Sequence, residues 1–299
     1  MLSCVCIHRI GEMMSPSRFQ IARKDIISLF ENNGTRAYTY NEISKILAQN
    51  RGYWRLPADM YNEDFIELLV KTTRMKRYSF DFPARRINRF TWGDVSIYQL
   101  ALSLEKDSYL SHYTALYLHD LTDQIPKKIY VTDEQPWKNF RRTQLMQKDI
   151  DNAFLKPPRV SNNIARFEDY NICLLNGQFT NRLGVVSVDK LIVTSVERTL
   201  IDAAVRPIYS GGIYEVLNAY RKAVGRVSIN RLCAILRKLN YIYPYHQAIG
   251  FYLQRAGVYR ESQMRLLKNF DFEYDFYITY QMKGTEYSKE WRLYYPKGF

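Results

Sequence analysis

Apolar residues along the first hundred positions change period twice. Phe19, Ile21, Ala22, Ile26, Ile27, Leu29 and Phe30 form a helical stripe that Asn32, Asn33 and Gly34 would terminate. Tyr38 to Tyr40 favour a short extended stretch, after which Asn41 is placed to cap a second helix with Ile43, Ile46 and Leu47 facing inward. Pro57 and Asp59 lead into a third helical run, Phe65, Ile66, Leu68, Leu69 and Val70. From Met75 to Trp92 the period becomes that of strands, and two strands meeting at Pro83 predict a hairpin.

Trp92, Gly93 and Asp94 break this pattern and set a boundary before a helix over Ser96 to Leu104. Beyond it, Ser111 can cap a helix carrying Ala115, Leu116 and Leu118, with His112 and His119 seven residues apart on one face. Strand signals follow at Lys128 to Thr132, Asn171 to Leu175 and Leu191 to Val193. Thr194 with Glu197 reads as a capping box, and Arg198 with Asp202 stands at i, i+4 on the helix that box would start. Helical patterns occupy Tyr214 to Ala223, Ile229 to Leu239 and Pro244 to Ala256, and Phe270 to Tyr277 alternates as a half-buried strand does.

The expected class is therefore α+β: an N-terminal winged helix-turn-helix over residues 17–94, followed over 95–299 by a helix-rich α/β domain with a small sheet. The apolar start of the chain lacks the charge and cleavage pattern of a secretory signal. The simpler reading is translation from Met13 or Met14, with residues 1–16 a disordered or mis-called leader.

Composition sharpens the picture through charge. The 299 residues carry 43 Lys and Arg against 30 Asp and Glu, a net charge of +13. Residues 71–92 hold Lys71, Arg74, Lys76, Arg77, Arg85, Arg86 and Arg89 against the single acid Asp81. Cations concentrated on a predicted wing suit phosphate contact, with Arg51 and Arg55 of the connector as further candidates for DNA binding. Glu63, Asp64 and Glu67 make the third helix a poor reader of the major groove. No apolar run is long enough to cross a membrane as a helix, and the dispersed Cys4, Cys6, Cys173 and Cys233 fit a reducing cytoplasm. Cys4, Cys6 and His8 lack zinc-ligand spacing, and no cofactor fingerprint is present, so neither metal nor cofactor is expected.

The Ser111 to Leu121 stretch, the Thr-Ser-Val-Glu-Arg-Thr-Leu-Ile-Asp run within Val193 to Ala204, and the order of winged helix then α/β domain together resemble the AbiEi antitoxins of bacterial type IV toxin-antitoxin systems. The resemblance covers most of the chain from about Ser17 onward. It implies a non-enzymatic antitoxin that represses its own operon by binding double-stranded promoter DNA, and that counters a nucleotidyltransferase-like toxin encoded next to it. It singles out His112, Thr194, Glu197, Arg198 and Asp202 as signature residues of the antitoxin domain. The runner-up is a metal-dependent nuclease of a defence system using Asp271, Glu273 and Asp275, and a third reading is an interaction module working through the 25 tyrosines, clustered at Tyr241, Tyr243 and Tyr245 and at Tyr287, Tyr294 and Tyr295.

Overall fold

The computed structural model describes residues 17–34, 36–137 and 144–299. The expected leader, the proposed start sites and the Cys4, Cys6 and His8 group lie outside the described residues. The chain has an α+β fold that divides into two compact units, one of the described residues up to Ser79 with Asn88–Val95, the other of Phe80–Ile87 with Ser96–Phe299.

In the smaller unit, α1 (Arg18–Asn32) is followed by β1 (Ala37–Tyr38), α2 (Tyr40–Asn50), α3 (Asn62–Thr72) and the hairpin strands β2 (Met75–Asp81) and β3 (Arg86–Trp92). The sheet order is β1-β3-β2, and β1 runs antiparallel to β3 with Tyr38 opposite Phe90. Phe82 and Arg85 exchange backbone hydrogen bonds of 3.0 and 3.2 Å around Pro83 and Ala84, closing the turn. The apolar stripes of the three helices meet over this sheet: Phe30 stacks on Trp92 at 5.0 Å and Trp54 on Phe65 at 5.8 Å, and all four rings are buried. Helix α2 is capped by Thr39, not Asn41. The Thr39 hydroxyl accepts from the Glu42 N–H while the Glu42 carboxylate accepts from the Thr39 N–H, so a reciprocal box two residues earlier displaces the single cap expected. The distal hairpin, residues 80–87, groups with the larger unit: Phe80 is buried against Phe167 at 4.9 Å, and Arg85 pairs with Glu105.

The larger unit begins with α4 (Ile97–Leu102), β4 (Tyr109–Leu110), α5 (His112–Leu118), β5 (Lys128–Glu134), α6 (Gln147–Leu155), β6 (Ile164–Phe167) and β7 (Tyr170–Gly177). It continues with β8 (Val185–Val188), β9 (Leu191–Thr194), α7 (Val196–Val205), α8 (Ile213–Lys222), α9 (Ile229–Leu239), α10 (Tyr245–Ala256) and α11 (Glu261–Lys268). It ends in β10 (Phe276–Tyr277), β11 (Thr285–Ser288) and β12 (Leu293–Pro296). A six-stranded mixed sheet has the order β6-β7-β5-β4-β9-β8, with β5 parallel to β7 and β4 parallel to β9. A three-stranded sheet, β10-β12-β11, closes the end of the unit.

Helix α7 sits at the centre. All residues from Glu197 to Ala204 are buried, which means that its polar side chains have to find partners inside the protein. Its cap corrects the sequence reading. Ser195, not Thr194, accepts from the Arg198 N–H, the Thr194 hydroxyl bonds the Thr199 hydroxyl at 2.8 Å, and Glu197 accepts instead from the Ser228 N–H at the start of α9. Ser111 likewise precedes α5 without a side-chain cap, because its hydroxyl is engaged by Thr132 at 2.7 Å. His119 falls just past the end of α5, so it does not share a helical face with His112.

The expected strand over Phe270 to Tyr277 forms only at its last two residues. The alternation of exposure is real, but side chains replace a neighbouring strand as backbone partners. Gln147 bonds both the N–H and the carbonyl of Asp275, Gln247 donates to the Tyr274 carbonyl, and Arg292 donates to that of Phe272. The aromatic side then packs piecemeal, Phe270 and Phe272 on His246 and Phe276 in the core. Gln247 is completely buried and also donates to the carbonyls of Trp291 and Arg292, joining α10 to the C-terminal segment. Gly250 lies beneath Trp291, where a Cβ would fall 2.0 Å from the indole ring.

Candidate functional site

Two regions carry candidate chemistry. Of the cations expected to contact phosphate, Lys71, Arg74, Lys76 and Arg77 in the smaller unit and Arg85 and Arg86 in the distal hairpin are exposed while Arg89 is half-buried, and most stand beside acids. Lys71 lies 3.6 Å from Glu67 and Arg74 3.9 Å from Glu31, while Lys76–Asp94, Arg77–Glu63 and Arg86–Asp81 are each at 2.5 Å. Arg89 donates to the Asn88 carbonyl, and Arg77 also covers the Phe90 ring. The acidic start of α3 is thus partly neutralised by the hairpin, since Glu63 is held by Arg77. Arg51 has a different role from the one its charge suggested. Its guanidinium donates to the carbonyls of Pro57, Ala58 and Met60, fixing the long connector between α2 and α3. That leaves Arg55 exposed on the connector together with Tyr53 and Tyr61, 75% and 76% accessible.

In the larger unit, β4, α5, β7, α7 and the segment before α10 surround a cleft of about 1030 Å³. Ser195 starts α7 so that Arg198, Asp202 and Arg206 follow at successive helical turns, and all three line the cleft. Arg198 Nε donates to Asp202 Oδ1 at 2.7 Å and Nη1 to the Leu183 carbonyl at 2.7 Å, with both charged side chains over nine-tenths buried. Gly184, at φ +72°, lets the backbone pass over Arg198, where a Cβ would sit 2.9 Å from Arg198 Cβ. The ion pair expected from the i, i+4 spacing is therefore internal and anchors a loop. Glu134 fixes the same loop by accepting from the backbone N–H groups of Thr180 and Arg182 and from the Tyr109 hydroxyl.

His112 opens α5 with φ +52°, a conformation costly for a non-glycine residue and concentrated at functional positions. Its Nδ1 is buried with no hydrogen-bond partner among the described residues, and its ring packs edge-on to Tyr209 at 5.3 Å. Burial lowers the imidazole pKa to about 4, with Asp202 opposing that shift and Arg198 and Arg206 adding to it. Tyr209 closes the cleft floor by accepting from the Ser161 N–H at 2.8 Å, and Tyr241, Tyr243 and Tyr245 form a wall. Trp137, Phe179, Val160 and Ile242 line the mouth as exposed apolar side chains.

Of the five signature residues, His112, Arg198 and Asp202 meet in this cleft, whereas Thr194 and Glu197 hold elements together from outside it. Sequence reasoning missed Arg159, Arg206 and Tyr209. Arg206 was within reach, because it continues the i, i+4 series of Arg198 and Asp202. The other two come from separate segments and carry no local signal. Asp271, Glu273 and Asp275 do not form a metal-binding group among the described residues. Asp275 instead accepts from Tyr287 and Arg292, whose hydrogen bonds hold its carboxyl below the ordinary aspartate range against the raising effect of burial.

No family model and no curated protein matches the chain. Among solved structures, the crystal structure of the Rv2827c protein from Mycobacterium tuberculosis is similar over 92% of this chain and 91% of its own, with a TM-score of 0.57 and 13% sequence identity. At that identity the likeness speaks for a common α+β fold. No helix among the described residues is long and apolar enough to cross a membrane.

Proposed function

We propose that this protein is a cytoplasmic DNA-binding autorepressor and antitoxin of the AbiEi type, acting against a nucleotidyltransferase-like toxin encoded beside it and having no catalytic activity of its own. The observation that carries the reading is the plan of the smaller unit, α1-β1-α2-α3-β2-β3 with β1 paired to β3, which is the element order of a winged helix-turn-helix. Most cations of this unit and of the distal hairpin are exposed, and exposed ion pairs contribute only about 0 to 1 kcal/mol, so phosphate oxygens can replace the carboxylates at little cost. The acidic α3 favours backbone contact by the hairpin and readout by Arg55, Tyr53 and Tyr61 over base reading by the helix itself.

The test has two arms. Purified full-length protein titrated into labelled DNA from upstream of its own gene should bind it more tightly than unrelated DNA, with affinity falling as salt rises. Co-expression with the adjacent toxin gene should restore growth that the toxin alone arrests. Equal binding to every DNA would remove the operator role, and failure to restore growth would remove the antitoxin role.

A further inference from the structure

We propose that the cleft of the larger unit is a binding site for a nucleoside phosphate, either a free nucleotide or the phosphorylated end of a single nucleic-acid strand, with the phosphate held by Arg206 and Arg159 and the base seated among the tyrosines beside His112. The proposal goes beyond the DNA-binding reading and stands on a different part of the chain.

The first argument is charge. Three arginines line the cleft against one carboxylate, Asp202, and that carboxylate is engaged by Arg198. Arg206 and Arg159 therefore face the cavity with no acid engaging them among the described residues. Arg206 spends one donor on the Arg159 backbone carbonyl at 3.1 Å, which brings the two residues together and leaves most of each guanidinium fork for an oxyanion.

A second argument is the lining. Tyr209, Tyr241, Tyr243 and Tyr245 supply rings inside, and Trp137 and Phe179 supply exposed rings at the mouth. Aromatic faces beside arginine are the platform on which a nucleobase stacks without sequence preference. The volume, about 1030 Å³, exceeds what a bare inorganic anion needs.

The third is His112. A buried Nδ1 without a partner and a left-handed backbone at the same residue, both at the cavity wall, are an unfavourable arrangement for an empty core position. Arg198, by contrast, is over nine-tenths buried, spends Nε on Asp202 and Nη1 on the Leu183 carbonyl, and serves as framework.

The experiment is calorimetric titration of the full-length protein with AMP, ATP, adenosine, inorganic phosphate and a 5′-phosphorylated tetraadenylate, followed in parallel by Trp fluorescence. At least one phosphorylated nucleotide or the phosphorylated oligonucleotide should bind saturably, at least tenfold tighter than adenosine and than phosphate. Tighter binding of the mononucleotides assigns a free nucleotide, and tighter binding of the oligonucleotide assigns a strand end. R206Q and R159Q, each checked for an unchanged circular dichroism spectrum and melting point, should each weaken binding at least tenfold. Absence of saturable binding to every probe at millimolar concentration overturns the proposal, as does binding that both folded variants retain unchanged. DNA binding by the smaller unit, measured separately, is not expected to depend on these two arginines.

Discussion

His119 Nε2 lies 2.6 Å from the Thr194 carbonyl oxygen, a buried hydrogen bond that joins the end of α5 to the end of β9 across 75 residues of sequence. It links the two stretches on which the family resemblance rests. Burial lowers the His119 pKa, with the bond to Thr194 pulling the other way, so a neutral ring donates Nε2–H. His119→Ala should cost about 1 to 3 kcal/mol, the usual penalty for orphaning a buried group, read as a lower urea midpoint with an unchanged slope. His119→Gln, which can still donate, should recover part of that loss.

Acid should weaken the fold before the carboxylates titrate. His112 and His246 are both lowered to about 4 by burial, and neutral imidazoles in the folded chain become protonable once it unfolds. Between pH 6.5 and 4 the unfolded chain binds more protons, so stability is complete at neutral pH and falls through that window, by up to about 1.4 kcal/mol per pH unit for each ring. Melting points measured from pH 7.5 to 4.5 should decline, and less steeply in His246→Leu. A flat profile from pH 7 to 5 would count against neutral buried histidines.

The Arg198–Asp202 pair should show the asymmetry of buried charges. Asp202→Ala strands a guanidinium that is over nine-tenths buried, and a loss of about 3 to 5 kcal/mol is expected. The double variant Arg198→Met, Asp202→Leu should be less damaging than the sum of the single changes, which a double-mutant cycle in urea measures. Additive losses would mean that the two side chains act separately.

Arg51 and the hairpin cations should separate cleanly in two assays. Arg51→Ala frees three carbonyls of the connector and should lower the melting point while leaving the salt dependence of DNA binding nearly as it was. Lys76→Ala with Arg77→Ala should leave the melting point close to the parent and reduce the salt slope by about 2, on the counterion-release relation. Arg85→Ala with Arg86→Ala should weaken binding to all sequences alike. Unchanged binding and slope in both doubles would remove the hairpin from the DNA contact.

Gly250→Ala tests the closing of the larger unit. The added methyl would overlap the Trp291 ring, which is fully buried and hydrogen-bonded through Nε1 to Gln254 at 2.8 Å. A loss of about 3 kcal/mol or more is expected, seen as low soluble yield and a depressed melting point.

Much of the fold was legible because burial leaves a period in the chain. The stripe from Phe19 to Phe30, apart from the exposed Ile21, the alternation from Met75 to Trp92 and the α9 pattern from Ile229 to Leu239 map onto elements with matching buried faces. Caps were less legible. Thr39 and Ser195 stand next to other polar residues that could have served, and the choice depends on which hydroxyl is needed elsewhere, as Thr194 is by Thr199. The stretch from Phe270 to Asp275 misled because alternation reports which side chains are buried, not what the backbone bonds to. The cleft was least legible. His112, the Arg198 and Asp202 pair and the cluster of Tyr241, Tyr243 and Tyr245 each stood out in the sequence, but they are far apart in it, and no local pattern says that they meet or that Arg159 and Tyr209 join them.

The single amide of Gln247 donates to carbonyls of Tyr274, Trp291 and Arg292, so one buried side chain holds two stretches of the C-terminal segment onto α10. Were that segment to lift off, the amide and the bare flank at Gly250 would be left facing water. Detachment of the segment from Tyr274 to Leu293 would unseal an apolar side of the larger unit and open it to chaperones and proteases.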